Sequence, residues 1–413
     1  MESKKTFADY ADGDLTTPRL GLERIKILLD LLGNPDSKLR IIHVAGTNGK
    51  GSVCRFLTSI LSEAGYKAGL FSSPCLTDRC DAISVNGVNI TSLELDSIYE
   101  EIGILAEKMT ELPTPFEISA AAALMYFVRQ NCDYCILETG MGGATDATNA
   151  ISDSVLDIFV PIAADHIAYL GSTLAEIASV KAGIIKKSSA VITAKQQEEV
   201  MLILKHRAKN NSFTAAENPI ITGTDGIHEI FDCKGLKSIR CGLAGVHQPQ
   251  NAAVAIEAAY ALGTDERSIK CGVENAKNPA RFEYFEKDGA KIIFDGAHNP
   301  HGMNSFVTSV NRYFGTCPKT VVLAAMHDKE IDKMVKELKK INGDVTFYTV
   351  GVSQNDRAEK PHVLEKIFME NGLKCRNMKE ISCALAAADK KTPVFVCGSL
   401  YLYKEFIQYI NQP

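Results

Sequence analysis

No apolar run in the 413-residue chain approaches the roughly 18 residues that a membrane-spanning helix needs, so neither a span nor a membrane partner is expected. The opening residues, Met1–Asp14, are polar and acidic and lack the apolar segment of a signal peptide. Basic residues are in deficit: 45 Lys and Arg stand against 50 Asp and Glu, a net charge of −5. That balance leaves no polybasic footprint for nucleic acid, and an anionic ligand has to be met by locally placed cations. Twelve cysteines occur without a framework spacing, and the C-x-x-C at Cys132-Asp-Tyr-Cys135 has no second pair at zinc-ribbon distance. It opens an apolar run, Cys135-Ile-Leu, that reads as a buried strand, so structural thiols in a reducing cytoplasm are expected. Tryptophan is missing altogether.

What is present suits a globular enzyme: 46% hydrophobic and 23% charged residues, in a length of two or three domains at about 150 residues each. The informative stretch is Ile41–Ser52, Ile-Ile-His-Val-Ala-Gly-Thr-Asn-Gly-Lys-Gly-Ser. A short β-branched run enters a glycine-rich turn with Lys50 and Ser52, and Val53–Ala64 follows with helical spacing. Strand, glycine loop with lysine, then helix is the layout of a phosphate cradle. Glycines admit the oxygens close to the backbone, N–H groups and the helix N-terminus supply positive potential, and the lysine neutralises the outer phosphates. The spacing departs from G-x-x-x-x-G-K-[ST]: Val44 stands at the first glycine, and Gly51 separates Lys50 from Ser52.

A helix is expected over Thr16–Leu32, stopped at Gly33-Asn34-Pro35. Lys67–Phe71, Cys135–Glu138, Leu156–Ala163 and Ala190–Thr193 read as strands. Leu93–Met109, Phe116–Gln130 and Leu174–Ile184 read as helices, and Asn86-Gly87 centres a hairpin. This alternation predicts a mostly parallel sheet covered on both faces, with ligands gathering at the carboxyl ends of its strands. Lys50, Ser73, Glu138 and His166 all fall at or just after such ends. Ile220–Gly245 suggests a small antiparallel patch, and Asn251–Leu262 a helix. The pattern restarts near Pro279, where Lys291–Phe294, Thr320–Ala324, Val345–Val350 and Val394–Val396 read as strands. Two domains are therefore expected, 1–279 and 280–413, hinged near Pro279.

Several segments go beyond a generic phosphate loop. They are Leu20-Gly-Leu-Glu-Arg24, Gly46–Ser52, Glu138-Thr-Gly-Met-Gly-Gly with Asp146-Ala-Thr-Asn149, and Asp165-His166 with Tyr169-Leu-Gly171. The series continues with Lys181-Ala-Gly-Ile-Ile-Lys186, Gly245-Val-His-Gln248 with Asn251, Ala280-Arg-Phe-Glu283, and Asp295-Gly-Ala-His-Asn-Pro300. In this order, over nearly the whole chain, the set resembles the folylpolyglutamate synthase and dihydrofolate synthase family of the ATP-dependent Mur ligases.

The resemblance implies an α/β fold: a P-loop domain of the Mur central type, followed by a smaller Rossmann-like glutamate-ligase domain. It implies an ATP-dependent ligase that adds L-glutamate to a folate, or to dihydropteroate, through an acyl phosphate. Thr47, Asn48, Gly49, Lys50, Gly51 and Ser52 would hold the phosphates. Asn251, Arg281 and Asp295 match nucleotide contacts from both domains, so that domain closure would complete the site. Ser52, Ser73 and Glu138 match magnesium ligands, and His166 matches a ligand of a second Mg2+. Lys181 matches a lysine carried as a carbamate, an anion suited to a site crowded by metal. Lys50, Glu138, His166, Lys181 and His298 form the implied catalytic set. Arg19, Thr114, Phe116, Glu117, Thr145, Asp146 and Ala147 match substrate-facing positions.

Plainer readings stand beside these. Ser73 can be a turn hydroxyl, His166 a core histidine, Lys181 one more helix lysine and His298 a turn histidine. Asn251 can be an N-cap, and Arg281 a surface partner of Glu283. The chain also departs from the family pattern at Cys75-Leu76, Asp81-Ala82, Ala144-Thr145 and Asn278-Pro279-Ala280, the last where Trp-Pro-Gly is common. By the resemblance these loops would face the pteroyl group or shape the cover of the site, so reaction class is better defined than substrate. The alternatives are a Mur-type ligase that joins an amino acid to a non-folate carboxylate, and a nucleotide-binding protein without catalysis. A cytoplasmic monomer is expected.

Overall fold

The computed structural model describes residues 7–11, 13, 19–165, 167–353 and 355–412. His166 lies outside the described residues. Two compact units are formed. One holds Met1–Ile220, Asp232–Ile239 and Gln250–Ala276, and the other Ile221–Phe231, Arg240–Pro249 and Lys277–Pro413.

Strands of the first unit are β1 (Ile41–Ala45), β2 (Ala68–Phe71), β3 (Ile83–Val85), β4 (Val88–Asn89), β5 (Tyr134–Glu138), β6 (Leu156–Phe159), β7 (Ala190–Thr193) and β8 (Phe213–Ala215). They form one sheet in the order β4-β3-β2-β5-β1-β6-β7-β8. All pairings from β2 to β8 are parallel, whereas β3 and β4 run antiparallel at one edge. Strand β1 is buried at every position, as expected of a central parallel strand covered on both faces. Its register sets Val44 beside Glu138, and Ala45 beside Phe159. Phe71 pairs with Leu137. The carboxyl ends of β1, β2, β5 and β6 therefore share one edge.

The helix Lys50–Glu63 follows β1 and buries Val53, Phe56, Leu57, Ile60 and Leu61, a stripe at helical spacing. The helix Glu266–Asn275 lies so close to it that a Cβ on Gly272 would come 2.3 Å from the Ile60 Cα. Asn251 proves to lie within the first turn of a helix that starts at Gln248, rather than at its cap.

Strands β9 (Ile220–Asp225), β10 (His228–Cys233) and β11 (Leu236–Arg240) make a three-stranded sheet in the order β11-β10-β9. The second unit holds β12 (Glu283–Lys287), β13 (Ala290–Phe294), β14 (Lys319–Leu323), β15 (Val345–Thr349), β16 (Cys375–Asn377) and β17 (Val394–Cys397). Their order is β12-β13-β17-β14-β15-β16, parallel except for the β12–β13 hairpin. Phe282, Phe306 and Phe395 pack at ring-centroid distances of 6.0–6.4 Å in its core. All twelve cysteines carry free thiols. No helix among the described residues is long and apolar enough to cross a membrane.

Candidate active site

The loop after β1 depends on two glycines that no other residue replaces without strain. Gly46 has φ +144°, and a Cβ there would sit 2.2 Å from Val160 Cγ2 and 2.7 Å from the Val160 carbonyl oxygen. Gly49 has φ +103°, and its Cβ would lie 2.5 Å from Asn251 Oδ1. Asn251 is thus placed directly against the loop. Thr47 ties the loop to the end of β6: its N–H donates to Pro161 O at 2.9 Å, and its hydroxyl donates to Ala163 O at 2.9 Å. Gly49 then caps the helix with no side-chain acceptor, so the first-turn N–H groups face the loop. Ser52 is buried in that turn.

Two lysines converge on this loop. Lys50 Nζ lies 3.3 Å from the carbonyl oxygens of both Gly46 and Thr47. Lys181, at the end of the helix Leu174–Lys181, is 4% exposed and donates to Gly46 O at 2.8 Å. Burial, reinforced by the Lys50 charge, lowers the Lys181 pKa to about 7, against the pull of Asp165 and Asp146. The backbone of Gly143 packs onto Lys181 so tightly that a Cβ would meet its Cα at 2.9 Å.

Glu138 ends β5, buried, at the same sheet edge. Its charge acts on Arg55 and on the Cys54 thiol, both in the helix that follows the loop. Ser73 follows β2 and is half-buried, with a cis peptide to Pro74.

Beyond Glu138 the chain turns through Gly140 to Asp146. That carboxylate accepts from Met141 N–H at 2.7 Å, from Thr148 N–H at 3.0 Å and from the Thr148 hydroxyl at 2.5 Å. It therefore caps the short helix Ala147–Ala150 and closes its own loop. Burial raises its pKa, against the opposing pull of those hydrogen bonds and of Lys50. Thr145 is exposed and Ala147 buried. Phe116 lies under Gly140, where a Cβ would meet its ring at 2.6 Å, and packs on Phe71 with centroids 5.8 Å apart.

Arg19, Thr114 and Glu117 come together through a residue given no role from sequence, Arg24. Thr114 and Glu117 form a capping box for the helix Pro115–Arg129. Glu117 is 2% exposed, accepts from Arg24 Nε at 3.1 Å, and keeps its second oxygen without a hydrogen-bond partner among the described residues. Arg24 also donates to Arg19 O at 2.7 Å, and Arg19 pairs with Glu111. The signal for Arg24 was its place in Leu20-Gly-Leu-Glu-Arg24; its partner lies 93 residues away.

In the second unit, Asp295 follows β13 and accepts from Phe282 N–H at 2.9 Å and Ala297 N–H at 2.8 Å. Burial pushes its pKa up to about 6, moderated by the nearby Arg281 guanidinium. Arg281 lies beside Gly296, where a Cβ would come 2.7 Å from its guanidinium. Glu283, the alternative partner considered for Arg281, accepts from Ala280 N–H at 2.7 Å and from the Tyr403 hydroxyl at 2.8 Å. His298 Nδ1 lies 2.8 Å from Gly296 O. His247, unremarked from sequence as a site group, is held down to about 4 by burial and by the charges of Arg281 and His301.

Residues 44–259 match the Mur ligase middle domain, and residues 280–400 match the Mur ligase glutamate ligase domain. The chain is 35% identical, over 347 residues, to the dihydrofolate synthase/folylpolyglutamate synthase of Bacillus subtilis, covering 79% of this chain and 80% of that protein. It is 30% identical to the dihydrofolate synthetase of Saccharomyces cerevisiae over 424 residues, covering 95% and 98%. The fold superimposes on Mycobacterium tuberculosis folylpolyglutamate synthase, crystallised with ADP and AMPPCP, with a TM-score of 0.87 at 26% identity over 96% of each chain.

Proposed function

Because the chain belongs to the folylpolyglutamate synthase and dihydrofolate synthase family of Mur ligases, we propose that it adds L-glutamate to a folate at the expense of ATP. The observation that carries this is the convergence of Lys50 and Lys181 on the glycine loop at the edge where Glu138 ends its strand.

The substrate carboxylate oxygen attacks the γ-phosphorus of ATP, ADP leaves, and an acyl phosphate forms. The amine of L-glutamate adds to the acyl carbon, giving a tetrahedral centre. That centre collapses by breaking the bond to the phosphate oxygen, and the amine proton is lost. Phosphoryl transfer of this kind needs positioning and charge neutralisation more than covalent help from the protein. Residues 48–52 supply N–H donors for the phosphates, Thr47 anchors that loop to the end of β6, and the Lys50 ammonium balances the charge that builds on the β- and γ-oxygens. Asn251, set against Gly49, is a further nucleotide contact. In the second unit Arg281 and Asp295 serve the nucleotide and His298 the reacting phosphate, with Asp295 also holding the loop that carries Arg281.

The Ser52 hydroxyl in the first turn of the helix after β1, the Ser73 hydroxyl after β2 and the Glu138 carboxylate at the end of β5 are hard oxygen donors, a set suited to Mg2+, which retains waters and takes phosphate oxygens. When bound there, Mg2+ would neutralise phosphate charge. His166 belongs to the same proposal, with a second metal. Lys181, buried beside Lys50, suits conversion to a carbamate: its neutral amine nitrogen bonds to the carbon of CO2 and a proton is released. Phe116 and the Asp146 loop, with Arg19, Thr114, Glu117, Thr145 and Ala147, line the way for the pteroyl group.

The test is a substrate panel of dihydropteroate, dihydrofolate and tetrahydrofolate, each with ATP and L-glutamate, followed by product mass. Addition of one glutamyl residue, with ADP release that requires both acids, supports the reading. ADP release supported by another carboxylate and not by any folate overturns it.

A further inference from the structure

His43 interrupts the apolar run of β1, yet it is fully buried in mid-strand, beside Leu137 of β5 and Asp157 of β6. Its Nε2 lies 2.8 Å from the hydroxyl of Thr148, 105 residues further along the chain. That hydroxyl donates its only proton to Asp146 Oδ1 at 2.5 Å, so toward His43 it can only accept. The imidazole must therefore carry its proton on Nε2. Nδ1 is left as a bare acceptor, with no hydrogen-bond partner among the described residues. Burial, with the Lys186 charge, holds the ring down to about 3, so it stays neutral and the tautomer does not change. A buried imidazole with one nitrogen unpartnered is a poorer core group than leucine of similar size. Strand stability does not account for it.

The chain of hydrogen bonds does account for it. A free hydroxyl rotates to whichever acceptor is nearest. With its lone pair occupied by His43 Nε2–H, the Thr148 O–H is pinned on Asp146. Asp146 in turn closes the loop from Gly140 through Met141 N–H at 2.7 Å, next to Phe116. At the other end, His43 lies on the strand that delivers the nucleotide loop at Gly46.

We infer that His43 is a positioning residue for the folate substrate: through the Thr148 hydroxyl it fixes Asp146 and the 140–146 loop, tying the nucleotide strand to the wall that faces the pteroyl group. This rests on the folate-ligase reading above. His43 touches no reacting atom and acts only through Thr148.

The test is steady-state kinetics of the full chain with ATP, L-glutamate and dihydropteroate or tetrahydrofolate, for wild type, Thr148→Val, Thr148→Ser, His43→Leu and the double variant His43→Leu/Thr148→Val. Thr148→Val removes the hydroxyl at nearly constant volume. It should raise the folate KM about tenfold, the net worth of one hydrogen bond, and leave the ATP KM unchanged, while Thr148→Ser restores the wild-type value. His43→Leu should give the same split, and the double variant should be no worse than the worse single one. An unchanged folate KM in folded Thr148→Val overturns the inference. So do folate and ATP KM values that rise together, or additive effects in the double variant. If His43→Leu does not fold, the Thr148 pair decides alone. Wild type that turns over no folate sinks the ligase reading, and the relay with it. Wild type that turns over folate beside unaffected variants sinks the relay only.

Discussion

Lys181 Nζ donates to the Gly46 carbonyl oxygen at 2.8 Å across 135 residues of sequence, and Lys50 Nζ lies 3.3 Å from the same oxygen. Two amines on one acceptor, one of them buried, is an arrangement that stability alone disfavours. We therefore expect Lys181→Ala to lower turnover by about a hundredfold or more, the loss seen when one preorganised group is removed from a transition-state site. Labelling with carbon-13 bicarbonate should give a carbamate resonance in wild type that is missing in Lys181→Arg. The same spectrum in both would remove the carbamate from the account.

The glycine loop gives a second expectation. Gly49→Ala places a Cβ 2.5 Å from Asn251 Oδ1 at φ +103°, so nucleotide titration should show ATP affinity falling by about tenfold or more. Gly46→Ala meets Val160 backbone as well as side chain, and should cost about 3 kcal/mol of stability in urea denaturation. Tight ATP binding by Gly49→Ala would contradict the placement of Asn251.

Arg24 and Glu117 form an ion pair with side-chain exposures of 11% and 3%. Removing one partner leaves a buried charge, so Arg24→Met should destabilise the protein by about 3 kcal/mol. Adding Glu117→Gln should recover much of that loss, because the remaining charge is then gone as well. Chemical denaturation of the two variants decides it: equal stabilities would mean that the pair is not coupled.

Asp157, fully buried, accepts from the Ser154 hydroxyl at 2.7 Å, the Ser189 hydroxyl at 2.6 Å and the Lys186 N–H at 2.9 Å. Burial nonetheless pushes its pKa up from 3.8 to about 6. Between those values the folded state keeps a proton that the unfolded chain has released. Its contribution to stability therefore falls as pH rises through this window, by about 3 kcal/mol in all, and is level above it. Asp157→Asn should lose less stability than wild type between pH 4 and 7. Parallel stability profiles for the two proteins would contradict the raised pKa.

Much of the fold was legible because its strands are short, largely buried β-branched runs, as at Ala190–Thr193, which forms β7 without a change of boundary. Strand β12 was not legible. Glu283-Tyr-Phe-Glu-Lys287 alternates half-buried and exposed positions on an edge hairpin, and its polar residues hide it. The apolar pattern of Leu156–Ala163 reads as one strand, but β6 ends at Phe159, because Pro161 O and Ala163 O turn to accept from Thr47. The motifs located Lys50, Glu138 and Lys181 as residue types, but only tertiary structure shows that the two lysines share one carbonyl. Arg24 and His43 escaped for the same reason. Each looks like a solvated or strand-breaking polar group until a partner 93 or 105 residues away supplies its hydrogen bond.

The most direct measurement uses a folate labelled with oxygen-18 in the carboxylate that receives glutamate. With ATP and L-glutamate present, collapse of an acyl phosphate breaks the carbon–oxygen bond, so the inorganic phosphate released should carry one labelled oxygen, and the product should gain one glutamyl residue. Phosphate free of label, or ADP release indifferent to the folate, would contradict the account.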